Sequence, residues 1–175
     1  AAALSAAATL GVSGAAQAFG EEGAFHPRVM LTGAAKWEGV RATAPARWSE
    51  ELARRTSAPA RLRPATVRAD SPDLQAEPFV IWSGGGDSPA LTPREVANLR
   101  RFVLLGGIVF VDDYDAATSA FTQRAKRELA RVLPDQTPIA IGPENVVFRS
   151  FYLLRRAAGR VSGPAKLEAI VRAGA

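Results

Sequence analysis

Cysteine is absent from the sequence, and histidine occurs once, as His26. Without a thiol the chain cannot form a disulfide, hold a metal through thiolates or use a cysteine nucleophile. A single histidine leaves zinc with carboxylate ligands alone, and a Ser-His-Asp triad would need His26, at the wrong end of a predicted strand. Serine hydrolysis and zinc catalysis are therefore disfavoured.

Long runs of one charge are also missing. The net charge of +5 arises from 22 Lys and Arg against 17 Asp and Glu, and the basic residues, almost all of them Arg, are spread along the chain. A dispersed surplus does not indicate a nucleic-acid partner. The 175 residues, 47% hydrophobic and 22% charged, suit one folded domain and not a disordered chain.

The first 18 residues carry no charge and consist mainly of Ala, Gly, Ser, Leu and Val. They end in Ala16-Gln17-Ala18, the small-x-small pattern that signal peptidase reads. Strong apolar residues are too few for a membrane anchor. We expect the later part of a secretory signal, cleavage after Ala18, and an exported, periplasmic domain over residues 24–175 without a stable membrane span.

Apolar periodicity predicts the fold. Short apolar runs bounded by Gly and Pro predict strands at 28–32, 65–68, 79–82, 108–111 and 139–141. Helical spacing predicts helices from Pro45 to about residue 56, from Thr92 to Gly106, and over the segment that contains Phe121, Ala125 and Leu129, with a last short helix or turn at 167–171. Strands that alternate with helices indicate a three-layer α/β sandwich with a mainly parallel sheet, in which 108–111 is the central strand.

The helix after Thr92 has the clearest start signal. Thr92 at the N-cap, Pro93 at the first helical position and Glu95 at the third predict a capping box. Gly106 is placed to end the helix in the left-handed conformation. The spacing predicts an inner face of Val96, Leu99 and Val103 and an outer face of Arg94, Asn98 and Arg101.

Five segments in order resemble the bacterial family called domain of unknown function 4159: FHPRV, PFVIWSGGG, LTPREVANLRRFVLLGGIVFVDD, AFTQRAKRELARVLPD and VFRSFYLL. The resemblance covers most of the chain from about residue 25, and its most specific part is the unit of helix, Gly-Gly, strand and Asp-Asp. In wider outline the pattern is similar to the class I glutamine-amidotransferase-like superfamily, which implies a flavodoxin-like sheet. The family has no assigned activity, so the resemblance implies a fold and not a reaction.

The chain departs from that superfamily at the nucleophile. Active glutamine amidotransferases carry a cysteine after the strand that corresponds to 108–111, where this sequence has Asp112 and Asp113. Glutaminase chemistry is therefore excluded. The resemblance also implies a further strand and acidic motif beyond Val171, so the domain is expected to be truncated at its C-terminal end.

Three loops follow predicted strands and should meet at the edge where open α/β sheets bind ligands: 33–37, 83–87 and 112–115. The glycine run offers N–H groups to an anion or forms a plain turn. Two kinds of role are open for Asp112 and Asp113. In a functional role they form an acid and base pair or act as hard ligands for Mg²⁺ or Ca²⁺. In a structural role one of them caps a helix and the other pairs with an Arg. The candidate ligand-binding residues are Ser83, Gly84, Gly85, Gly86, Asp87, Asp112, Asp113 and Tyr114.

These patterns favour an exported, non-catalytic module that binds a small molecule or an envelope protein, with no cofactor and no metal assigned. The alternative is a carboxylate-dependent hydrolase of the cell envelope, acting on carbohydrate. A third class, a structural interaction module, would be indicated by an exposed apolar patch around residues 148–154. Trp37, Trp48 and Trp82 either stack on a sugar or belong to the core.

Overall fold

A computed structural model of the chain describes residues 23–115, 117–150, 152–157 and 167–171. The predicted signal segment and its cleavage point lie outside the described residues. Of the segment expected to carry an apolar patch, residue 151 also lies outside them. In the described ranges, no helix is both long enough and apolar enough to span a bilayer.

Four parallel strands form the main sheet: β1 (Arg28–Leu31), β2 (Ala65–Arg68), β3 (Phe79–Gly84) and β4 (Ile108–Asp113). Their order across the sheet is β2-β1-β3-β4. The predicted parallel sheet is confirmed. Val80, Ile81 and Trp82 are all buried, as the continuous apolar run in β3 indicates for a strand covered on both faces.

Three helices cover the two faces of the sheet: α1 (Ala44–Thr56), α2 (Pro93–Leu104) and α3 (Ala120–Val132). On one face, Trp48 of α1 packs its ring 5.7 Å from the Phe79 ring and 5.3 Å from the Phe110 ring. On the other face, Leu99 of α2 and Phe121 of α3 belong to the core that includes Val80 and Trp82. This arrangement is that of a three-layer α/β sandwich.

The capping box at the start of α2 and the glycine at its end have the conformations that the sequence predicts. The Thr92 hydroxyl accepts a hydrogen bond from the Glu95 N–H at 3.2 Å, and the Glu95 carboxylate accepts one from the Thr92 N–H at 2.7 Å. Gly106 ends the helix with φ of +93°, a conformation that a residue with Cβ resists. The chain therefore leaves α2 and enters β4 within three residues.

Two expectations about this region are wrong. In the described sheet β4 is an edge strand and not the central one, and its Ile108 side chain is 60% exposed. Asn98 does not point outward, because its Nδ2 donates to the Ala69 and Ser71 carbonyls at 2.8 Å each. A polar side chain is suitable at this position because the carbonyl groups of the loop after β2 need hydrogen-bond donors.

The C-terminal part also differs from prediction. Strand β5 (Ile139–Ala140) pairs antiparallel with β6 (Glu168–Ala169), so the segment expected to be a last helix or turn contains a strand. In the part of the chain that the structure describes, three 3₁₀ turns join the other elements, at Gly39–Arg41, Pro72–Ala76 and Val146–Phe148.

Candidate functional site

A cavity of about 420 Å³ opens at the carboxyl ends of β1 and β3. From β1 the chain passes to β2 on one side, and from β3 it passes to β4 on the other, so the direction of winding reverses between β1 and β3. A crevice forms outside the sheet at such a switch point, and ligands of open α/β proteins bind there. The walls come from the segments 30–41 and 82–88 together with Tyr114 and Phe121.

The buried Glu95 carboxylate holds the loop after β1 against α2. One oxygen accepts the Gly33 N–H at 2.7 Å, and the other accepts the Thr92 N–H of the capping box. Glu95 is only 2% exposed, so these charge-assisted hydrogen bonds form in a largely dry environment. One side chain therefore fixes both the start of a helix and one wall of the cavity.

Two glycines let aromatic rings approach the end of β3. A Cβ on Gly84 would lie 2.4 Å from the Phe121 ring, and one on Gly85 would lie 2.3 Å from the Tyr114 ring. Any side chain at either position would displace these rings. The absence of side chains at these two glycines therefore lets Phe121 and Tyr114, which both line the cavity, pack against the end of β3.

Ser83 and Ser88 are the two serines of the described cavity lining. The Ser83 hydroxyl donates to Asp112 Oδ2 at 3.1 Å. The Ser88 Oγ is buried and has no hydrogen-bond partner among the described residues. An unsatisfied buried hydroxyl is unfavourable, and such groups in folded proteins call for a specific explanation.

Asp112 and Asp113 lie on opposite faces of the sheet, because both belong to β4 and successive strand residues alternate. Asp112 is on the side of Ser83, with which it is paired in register. Asp113 accepts hydrogen bonds from the Thr122 N–H at 2.9 Å and the Thr122 hydroxyl at 2.8 Å, and a third from the Asp115 N–H at 2.9 Å. The two carboxylates therefore do not face each other as an acid and base pair would.

Asp113 takes the role of an N-cap for α3. The residue at the N-cap position, Ser119, has φ of +51° and makes no side-chain capping bond. The Asp113 carboxylate instead accepts the N–H of Thr122, the third residue of the helix. This is the capping alternative that the sequence left open for one of the two acids.

Asp87 and Gly86 lie outside the cavity lining. Asp87 forms a two-pronged ion pair with Arg124, at 2.9 Å to Nε and 3.1 Å to Nη2. The Arg124 hydrogen bond holds the pKa of Asp87 below its ordinary value, and the same bond raises the pKa of Arg124. The pair ties the loop after β3 to α3.

A second buried glutamate supports the same loop. Glu128 is 2% exposed and accepts the Leu91 N–H at 3.2 Å. Arg131 donates to it as well, and Arg124 lies 3.5 Å away. Since a buried carboxylate needs such partners, Glu128 fixes the chain ahead of α2 onto α3.

The other candidates fall in different places. His26 precedes β1, opposite the cavity end, with its Nδ1 2.9 Å from Glu77 Oε1. Trp82 belongs to the core, Trp48 to an aromatic cluster on the sheet, and Trp37 to the cavity wall. Within the described ranges, no three His, Cys, Asp or Glu side chains are grouped to hold a metal ion.

Exposed apolar side chains occur in the segment after β5. Phe148 is buried, with 3% exposure, whereas its neighbours Val146, Val147, Tyr152, Leu153 and Leu154 are exposed. The Tyr152 hydroxyl contacts the Arg55 carbonyl at the end of α1 at 3.4 Å. Within the described part of this segment, Phe148 is thus buried in the domain while its apolar neighbours are exposed at the surface.

Sequence reasoning found the loops but missed the residues that shape the cavity. Arg41 and Lys36 line it, and nothing in their sequence neighbourhood separates them from other surface cations. The contact of Glu95 with Gly33 joins residues 62 positions apart, which no local pattern reveals. Glu128 stands in an Arg-rich helix, so only its burial shows that it differs from a solvated acid.

The sheet and its switch-point cavity define a parallel α/β protein with a ligand-sized crevice at the carboxyl end of the sheet. Within that class, the chain belongs to the family described as domain of unknown function (DUF4159), whose family model matches residues 28–173. No curated protein matches the chain significantly.

Proposed function

We propose that the protein is a non-catalytic binding domain that takes a small molecule in the cavity between the ends of β1 and β3. The observation that carries this proposal is the cavity of about 420 Å³ at the switch point of the sheet. Its volume lies within the range of about 300 to 1,000 Å³ that is usual for small-molecule sites. The buried Glu95 and Glu128 fix the loops around it, so the walls are formed before a ligand arrives.

The proposal extends to the finer class of the fold. The order β2-β1-β3-β4, with the reversal between β1 and β3, agrees with a flavodoxin-like sheet, which has the same first four strands. This agreement supports placement beside the amidotransferase-like proteins, without their cysteine. It also explains why the cavity lies beside β3 and not at the outer edge of β4.

The carboxylate-dependent hydrolase receives less support. A hydrolase of that kind needs two carboxylates near the scissile bond. Among the described residues that line the cavity, Glu38 is the single carboxylate, while Asp112 and Asp113 lie on opposite sheet faces. Neither of the two acids that motivated the hydrolase lines the cavity, and Asp112 reaches its wall only through the hydrogen bond from Ser83.

We propose in addition that the domain is exported to the periplasm. The support is the uncharged first segment that ends in Ala16-Gln17-Ala18. N-terminal sequencing of the protein isolated from its own cells tests this directly. A chain that begins at Phe19 is expected, and a chain that retains the first segment would contradict export with cleavage.

The binding proposal can be tested with a fragment library and ¹H–¹⁵N correlation spectra of the chain. We expect fragments to shift the amides of residues 32–41, 83–88 and 114. Ala35→Trp should block the cavity and remove these shifts, because Ala35 is exposed and lines it. Ala76→Trp is the matched control, at another exposed alanine outside the lining. Shifts scattered over the surface, or shifts that survive Ala35→Trp, would contradict the proposal.

A further inference from the structure

We infer that the ligand of this cavity carries an oxyanionic group, a carboxylate or a phosphate, and that Arg41 binds that group. The inference rests on the proposed function, because it names the ligand chemistry of the same cavity. Three features of the described residues support it: the environment of Arg41, the aromatic ring that its guanidinium contacts, and the excess of cations over carboxylates in the cavity walls.

Arg41 is a half-buried cation with an aromatic contact in place of a carboxylate. Its guanidinium carbon lies 4.5 Å from the centre of the Tyr114 ring. Among the described residues, its side chain forms no ion pair and no hydrogen bond. A guanidinium stacked on a ring keeps its edge donors available, and their fork matches the two oxygens of a carboxylate or phosphate.

The ring that the Arg41 guanidinium contacts packs against the protein backbone. The Tyr114 ring lies so close to the backbone of Gly85 that a Cβ there would come within 2.3 Å of it. The Tyr114 ring therefore contacts both the Gly85 backbone and the Arg41 guanidinium. A cation held in place before binding loses less conformational entropy when an anion arrives.

With Arg41, the described lining of the cavity holds two cations and one carboxylate. Lys36 is a second cation in the lining, also without an ion pair among the described residues, and Glu38 is the single carboxylate there. The Gly85 N–H donates to no acceptor within the described part of the chain. An oxyanion supplies the acceptors that this set of donors lacks.

The test uses three probes with one phenyl ring each: benzoate, phenyl phosphate and benzyl alcohol. Dissociation constants are measured from the amide shifts of the 175-residue chain. We expect both anions to bind in the cavity and the neutral alcohol to bind at least about tenfold more weakly, the usual size of one charge-assisted hydrogen bond. Preference for one anion over the other distinguishes a phosphate ligand from a carboxylate.

Four variants separate the role of Arg41 from other causes of weaker binding. Arg41→Gln should weaken both anions about tenfold or more and leave the alcohol unchanged. Arg94→Gln, which removes an exposed cation outside the cavity lining, should change nothing. Tyr114→Leu should weaken the anions by removing the ring beneath Arg41, and Tyr114→Phe should retain their binding because the ring remains.

The outcomes for the two proposals differ. Binding of the alcohol in the cavity as tightly as the anions, or unchanged anion affinity in Arg41→Gln, overturns the oxyanion inference and leaves the binding function intact. If neither these probes nor any library fragment shifts the cavity amides, the binding function and the inference fail together.

Discussion

At the scale of single residues, the two acids at the end of β4 differ in their contacts. The alternation of strand residues turns Asp113 toward α3, where it replaces the missing N-cap side chain. The sequence left capping by one of the two acids open as one alternative among several. It did not identify which one, because the strand was expected to end at 111, and alternation applies only as far as the strand extends.

Replacing Asp113 with asparagine should destabilise the protein by about 1 to 3 kcal/mol, because the change weakens charge-assisted hydrogen bonds from two N–H groups and a hydroxyl. Urea unfolding at neutral pH measures the change. Asp135→Asn is the control with the same change of charge, at an exposed acid without a partner among the described residues, and should stay within about 0.5 kcal/mol of the parent. Equal effects of the two substitutions would contradict the capping role.

Asp87 should make stability depend on pH at the acidic end. Its pKa is lower in the folded protein because Arg124 donates hydrogen bonds to it. The folded state therefore binds fewer protons than the unfolded state, so the stabilisation is complete above the ordinary Asp pKa of about 3.9 and disappears as the pH falls through the lower folded value.

The measurement for Asp87 compares urea midpoints of the parent and of Asp87→Asn. The parent should be the more stable of the two at pH 7, and the difference should vanish at about pH 2. Because the pair is at the surface, concentrated NaCl should also reduce the difference at pH 7. A difference that persists at low pH would show that the substitution acts through something other than the ion pair.

At the scale of elements, α2 is linked to the cavity through Glu95. Thr92→Ala removes only the cap and should cost about 1 kcal/mol. Glu95→Ala should cost clearly more, about 2 to 4 kcal/mol, because it also leaves the Gly33 N–H without its acceptor. Unfolding free energies of both variants test this order. Similar losses for the two would mean that Glu95 acts on the helix alone.

Helices and strands that are determined by residues a few positions apart were predicted well. The capping box, Gly106 and the apolar run of β3 act within a few residues, so α2 and β3 begin near their expected positions. Asn98 and β6 were misassigned because their partners lie far along the chain, at Ala69 and at β5. Local periodicity cannot show such partners, since hydrogen bonding across loops decides their conformation.

At the scale of the whole molecule, the position of the cavity could be predicted from the arrangement of parallel strands and not from any sequence motif. Parallel strands bring the loops after β1 and β3 to one edge, which the sequence predicted correctly. The cations of the lining were not predicted, because Arg41 meets Tyr114 only after the loop after β1 folds over β3. The edge position of β4 also depends on strand order, which the sequence pattern alone left undetermined.

The edge position of β4 has a consequence for self-association. In the described sheet its outer side has no neighbouring strand, and the exposed Ile108 adds an apolar side chain to that edge. Edge strands of this kind pair with other chains unless a charge prevents it. We therefore expect the 175-residue chain to associate with itself at high concentration, and we expect Ile108→Lys to reduce this association.

The size of the effect follows from burial. An isoleucine buried between two copies contributes about 1.5 to 3 kcal/mol, so Ile108→Lys should weaken association at least about tenfold. Leu62→Lys is the control, because Leu62 is 54% exposed and lies outside the strands. Sedimentation velocity over a concentration series measures both, and unfolding in urea should show that neither variant loses more than about 0.5 kcal/mol. Equal weakening by the two variants would point to general apolar contact, whereas an effect of Ile108→Lys alone would identify β4 as the edge through which the copies meet.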